Sequence, residues 1–267
     1  MKIPNPFKKK EPYVPKVGIM GIGLDYNYYE YKISEKILYF LLGAVVGGVV
    51  AYIFYESLIL SAIVALIAGF AFLPIRKRQI IEKRRNKLLL QFKDMLESLN
   101  TSIGAGLNIM DSFSNAADDM AAQYGEESLI FEELKIINSG IYNNINVEEL
   151  LLDMGERSQI PDIVSFANVF DTCYRKGGNI KEVIKNTYQI ICDKIDIQLE
   201  IKTMVSGNKG ELTAMTVMPV VFVFLLKCLG TEVIDLTSSL GRITTTGAII
   251  IFVVAYFIGK KILDIKL

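Results

Sequence analysis

Residues 37–55 read ILYFLLGAVVGGVVAYIFY, and after Glu56 and Ser57 alone the chain resumes over residues 58–75 with LILSAIVALIAGFAFLPI. An α-helix rises about 1.5 Å per residue and the hydrocarbon layer of a bilayer is about 30 Å thick, so each run is long enough to cross it. Two further apolar runs occupy residues 212–229 and 243–259. The sequence therefore predicts an all-α integral membrane protein, with four transmembrane helices in two hairpins flanking a cytoplasmic helical bundle. The expected segments are a cytoplasmic N-terminal stretch (1–36), hairpin one (37–75), the helical domain (76–211), hairpin two (212–259) and a cytoplasmic tail (260–267).

Charge sets the expected orientation, because Lys and Arg close to span ends stay on the cytoplasmic side. Residues 1–36 hold seven Lys or Arg, residues 76–93 hold eight, and the tail after Gly259 holds three. The first turn carries only Glu56 and Ser57, and residues 230–242 carry one Arg against two acids. Both termini and the middle segment are expected inside a multi-pass protein of the cell (inner) membrane. The first 36 residues include Lys8, Lys9 and Lys10 but no short apolar core of a cleaved signal, so the first span is expected to direct insertion. Tyr26, Tyr28, Tyr29 and Tyr31 read as an interfacial lead-in to it. Lys227, the one charge within a predicted span, is expected to snorkel to the headgroups.

Gly43, Gly47 and Ala51 recur every four residues in the first span, as do Ser61, Ala65 and Gly69 in the second. Small residues at that interval line one helix face and let two backbones approach, so the first hairpin is expected to pack along these stripes, or else to offer one stripe to another subunit. Pro219 is expected to bend the third span.

Between the hairpins the apolar period is helical. Leu88, Phe92, Met95, Leu99 and Ile103 share a face, as do Ile109, Phe113, Ala116 and Met120, then Ile130, Leu134, Ile137 and Ile141, then Ile163, Ala167, Phe170 and Tyr174. Gly104 and Gly106 end one helix and Asn108 opens the next, with Asp111 three residues on. Gly177 and Gly178, followed by Asn179 and Glu182, repeat the device. From Asp94 to Asp171 there are 15 acids against Lys135 and Arg157, whereas residues 76–93 are strongly basic and suit anionic headgroups. The acid-rich part is expected to face the cytosol, with Glu126, Glu127, Glu132 and Glu133 as candidate partner-docking residues for a basic surface.

No catalytic residue, cofactor or metal site is expected, and no nucleic-acid partner. The chain lacks His, the usual proton shuttle and commonest metal ligand. Its cysteines, Cys173, Cys192 and Cys228, are too far apart for a CxxC pair. Gly207-Asn208-Lys209-Gly210-Glu211 lacks the Lys-Ser or Lys-Thr of a phosphate loop, and Gly18, Gly21 and Gly23 do not spell a dinucleotide fingerprint.

This order of parts, with Ser102-Ile103-Gly104-Ala105-Gly106-Leu107-Asn108 before one helix and Lys176-Gly177-Gly178-Asn179-Ile180 before another, resembles the F domain of type II secretion systems. The single-domain layout is most similar to the tight-adherence (Flp) pilus platform proteins of the TadB and TadC kind, over about residues 38–264. Pro219 matches that family's proline-bearing third span, while Gly210-Glu211 stands where it has Gly-Arg. The resemblance implies a platform in a pilus or secretion machine, contacting a cytoplasmic secretion ATPase, a homologous platform subunit or a second copy of itself, and pilin. A small-solute transporter or channel, and a membrane-anchored scaffold unrelated to pili, are the rival expectations.

Overall fold

The computed structural model describes residues 14–229 and 239–263. The expected lysine run Lys8 to Lys10, most of the second hairpin turn (230–238) and the end of the tail (264–267) lie outside the described residues. Eight helices follow in order: α1 (Ile33–Tyr55), α2 (Leu58–Gly104), α3 (Ile109–Tyr124), α4 (Leu129–Tyr142), α5 (Val147–Ser158), α6 (Pro161–Lys176), α7 (Ile180–Cys228) and α8 (Ser239–Leu263). No strand occurs among the described residues. Among the described residues three helices are long and apolar enough to cross a membrane, Ile33–Tyr55, Leu58–Gly104 and Ile180–Lys227. In α8 the apolar described run, Thr246–Tyr256, is shorter.

The chain divides into two compact units. A helical unit comprises residues 14–30 and 79–193, and an apolar unit comprises residues 31–78 with the described residues from 194 on. Helices α2 and α7 each run without interruption from one into the other. Pro74 lies within α2 and Pro219 within α7, so neither proline ends its helix.

The helical unit buries the faces that the sequence period marks. Leu88, Phe92, Met95 and Leu99 of α2 are fully buried, with Phe113, Ala116 and Met120 of α3, Ile130, Leu134 and Ile137 of α4, and Ile163, Ala167 and Phe170 of α6. Phe92 and Phe166 meet edge-to-face at 5.4 Å between ring centroids. Tyr174 departs from the expected stripe and is exposed.

Helix α5 lies in the stretch read as helical, but the sequence reading assigned it no apolar stripe. Val147, Leu150, Leu151 and Met154 recur at helical spacing and are buried, but the charged Glu148 and Arg157 are buried beside them, which obscures the inward face in the sequence. Its turn to α6 is also cryptic: Gln159, rather than a glycine, takes the left-handed C-cap (φ 51°) and Pro161 opens the next helix.

The two expected glycine turns form, by different means. After α2, Gly106 adopts φ 92°, and the Asn108 side chain accepts a hydrogen bond from Asp111 N at 2.8 Å. After α6, Gly177 itself caps the helix at φ 73°, and Glu182 N donates to Asn179 Oδ1 at 3.3 Å. Gly178 is there for room, since a Cβ on it would lie 3.1 Å from that of Cys173.

In the apolar unit α1 and the start of α2 pack through the small-residue stripes. A Cβ on Gly43 would fall 2.7 Å from that of Phe72, one on Gly47 would fall 2.4 Å from that of Ala68, and one on Gly69 would strike the Phe40 ring at 2.7 Å. Ala51 and Ser61 are buried, and Ala65 contributes the methyl that meets Gly48. The apolar side chains between the stripes, such as Val45, Val46, Ile67 and Phe70, point outward.

Candidate functional site

The sequence reading placed Glu126, Glu127, Glu132 and Glu133 on one docking surface. The structure separates them. Glu126 and Glu127 are exposed in the turn between α3 and α4, and Glu132, in the first turn of α4, is exposed and bridged to Lys135 at 3.0 Å. Glu133 is instead 1% exposed and cannot meet a partner. It lies one residue, about 100° of helix rotation, from Glu132, and that rotation turns it from the solvent into the core.

Glu133 faces Arg157, which projects from α5 and is also 1% exposed. The guanidinium donates from Nη1 to Glu133 Oε1 at 2.7 Å and from Nη2 to Oε2 at 2.6 Å, the forked geometry that suits Arg to carboxylates. Its Nε donates to Asp153 Oδ2 at 2.7 Å, one turn back on α5. Burial works against the charged guanidinium, but the hydrogen bonds and charges of Glu133 and then Asp153 outweigh it and hold Arg157 more firmly cationic than an arginine in water.

The third side of this centre is the N-terminal segment. Tyr26, completely buried, donates its hydroxyl to Glu133 Oε1 at 2.8 Å, and Arg157 Nη1 also donates to the Leu24 carbonyl at 3.3 Å. Tyr26 N donates to the Arg157 carbonyl, Ile19 N to Asp153 Oδ1, and Lys16 pairs with Glu156 at 3.3 Å. A Cβ on Gly23, which sits at φ 118°, would lie 2.7 Å from Arg157 Nη1, so only glycine lets the backbone pass this close. Burial first, and then the charge and hydrogen bond of Glu133, push the Tyr26 phenol far above its ordinary value and keep it a neutral donor.

Residues 16–29 thus form a strap across α5 and α4. This corrects the reading of Tyr26 as part of an interfacial lead-in to the first span. One hint in the sequence pointed to this centre: Arg157 is one of two cations among 15 acids, and a cation in such company tends to be paired. The strap's share, the Leu24 carbonyl on Arg157 and the Tyr26 hydroxyl on Glu133, spans more than a hundred residues and leaves no local signature.

Near the docking surface, Asp94 receives both the Tyr124 hydroxyl and Lys93, the latter at 2.7 Å. The hydrogen bond to Asp94 leads, with burial second, in raising the Tyr124 phenol to about 12. In the apolar unit Lys227 lies 2.6 Å from Glu56 rather than reaching past its neighbours as a free snorkelling cation. Among the described residues no group of three metal-ligating side chains converges. No protein-family model, curated protein or solved structure matches the chain.

Proposed function

We propose that this protein is the inner-membrane platform of a type IV-like, tight-adherence (Flp) pilus or a type II secretion machine, a non-enzymatic subunit that couples a cytoplasmic ATPase to pilin extraction and assembly. In this reading α8 completes a fourth span, both termini and the helical unit face the cytosol, and the ATPase partner hydrolyses the nucleotide. The observation that carries the reading is the continuity of α2 and α7: a packed, acid-rich helical unit is joined to an apolar unit by two unbroken helices of 47 and 49 residues. A machine that transmits work from a cytosolic motor to a membrane-embedded substrate needs stiff connections of this kind, whereas a flexible loop would dissipate the displacement.

Recognition falls to the exposed acids Glu126, Glu127 and Glu132, which complement a basic surface and raise the encounter rate without being required for the fold. A second copy or a homologous platform subunit would associate through the lipid-facing helices, and anionic headgroups would meet Arg76, Lys77 and Arg78.

The test is co-purification of the full-length protein with a cytoplasmic secretion ATPase of the same cell. Retention of the ATPase, reduced about tenfold or more on reversing Glu126, Glu127 and Glu132 to Lys, is the expected result. No retention, together with solute flux in liposomes holding the purified protein alone, would replace this reading by a transporter.

A further inference from the structure

Residues 37–75 hold a single charged side chain, Glu56, and residues 212–231 hold a single one, Lys227. These two lone charges, 171 residues apart, find each other: Lys227 Nζ lies 2.6 Å from Glu56 Oε1. The backbone of Glu56 is left-handed, at φ 48°, where it caps α1. That conformation costs an L-residue roughly 1–2 kcal/mol, is free for glycine, and is eased in Asn or Asp by local hydrogen bonds that Glu is less suited to make. A carboxylate stands where glycine would be unstrained. The residue before it, Tyr55, places its hydroxyl 3.0 Å from Thr246 Oγ1 on α8.

We infer that Tyr55 and Glu56 form a releasable charge latch, fastening the turn of the first hairpin to the end of α7 through Lys227 and to α8 through Thr246. The Glu56 side chain is 46% exposed, whereas the Lys227 Nζ is itself buried with the Glu56 carboxylate as its ion-pair partner, so water enters the pair from the Glu56 side and the ammonium relies on that carboxylate while the latch is closed. Lys227 occupies the last turn of α7, a helix whose first residues belong to the helical unit. Opening the latch frees the far end of that helix, and closing it fixes the helix end against the first hairpin. The inference goes beyond the platform reading and does not depend on which machine the protein serves.

The test uses the full chain in nanodiscs of mixed zwitterionic and anionic lipid. A water-soluble carbodiimide, which activates a carboxylate for attack by a neighbouring amine and leaves as its urea, is expected to yield a peptide joined between Glu56 and Lys227, absent from E56Q. The exposed pair of Lys16 and Glu156 serves as the positive control. Amide hydrogen exchange around residues 52–57 and 223–229 should then rise about tenfold in E56K and in K227E, and return to within about threefold of wild type in E56K/K227E. No joined peptide while the control pair couples would overturn the latch, as would exchange in the double variant equal to the product of the single effects.

Discussion

The two units use the same amino acids in opposite ways. In the helical unit, leucine, phenylalanine and isoleucine fill the interior, and glycines such as Gly106 and Gly177 stand where the chain turns. In the apolar unit those large side chains face outward, and Gly43, Gly47 and Gly69 stand between helices, where they let backbones touch. Water drives large apolar groups inward in the first case. In the second, a surrounding of hydrocarbon removes that drive, so close packing of small residues takes over. The polar groups follow the same division: the helical unit closes an ionic centre around Arg157, whereas the apolar runs of the other unit keep Glu56 at a turn and Lys227 at a helix end.

The sharpest way to break this contrast is to remove the ionic centre. Arg157→Ala leaves Glu133 buried beside nothing that can neutralise it, and is expected to cost about 3–5 kcal/mol in unfolding of the helical unit, read by denaturant melts or by amide exchange. The apolar unit should be scarcely affected.

Gly43→Leu attacks the other unit. Its side chain would enter the space held by Phe72, with an expected loss of about 1–3 kcal/mol in hairpin stability, measurable by steric trapping in bicelles. If the hairpin tolerates leucine there as well as at Val45, the claim of glycine-mediated contact fails.

Tyr26→Phe is a smaller probe, expected to cost about 1 kcal/mol near neutral pH through the lost hydrogen bond to Glu133. It also has a pH signature. The folded phenol titrates far above its ordinary value, so the stability it contributes is complete below about pH 10 and falls as pH rises further, because the unfolded chain releases the proton while the folded one retains it. Between pH 10 and 11 wild type should lose up to about 1.4 kcal/mol more than Tyr26→Phe does. Equal slopes in alkaline melts would show that Tyr26 is not sealed in the core.

Asn108→Ala, which removes the cap of α3, is expected to cost about 1 kcal/mol. Reversal of Glu126 or Glu127 to Lys should change stability by less than about 0.5 kcal/mol, so any larger effect on partner retention reports recognition rather than folding.

Much of this molecule could be read in advance because its signals are local. The runs at residues 37–55 and 58–75, the stripe from Gly43 to Ala51, and the cap at Asn108 each lie within a few turns of one helix, where spacing translates directly into a face. Helix α5 was not given a stripe because its charged Glu148 and Arg157 are buried beside Val147, Leu150, Leu151 and Met154, which blurs the inward face. Glu133 was misplaced because its neighbours Glu126, Glu127 and Glu132 share its charge, and sequence alone does not say which of several acids turns inward. The pairing of Glu56 with Lys227 and the anchoring of Tyr26 are long-range events that only the tertiary structure brings together.

The strap has a consequence for the order in which the molecule is made. Residues 16–29 leave the ribosome well before their anchors exist: Arg84 on α2, Glu133 on α4, and Asp153 and Arg157 on α5. The opening stretch must therefore wait, unattached, while the first hairpin is delivered to the bilayer and the following helices are synthesised. Residues 16–29 are then among the last to settle, and their docking marks the completion of the helices beneath them.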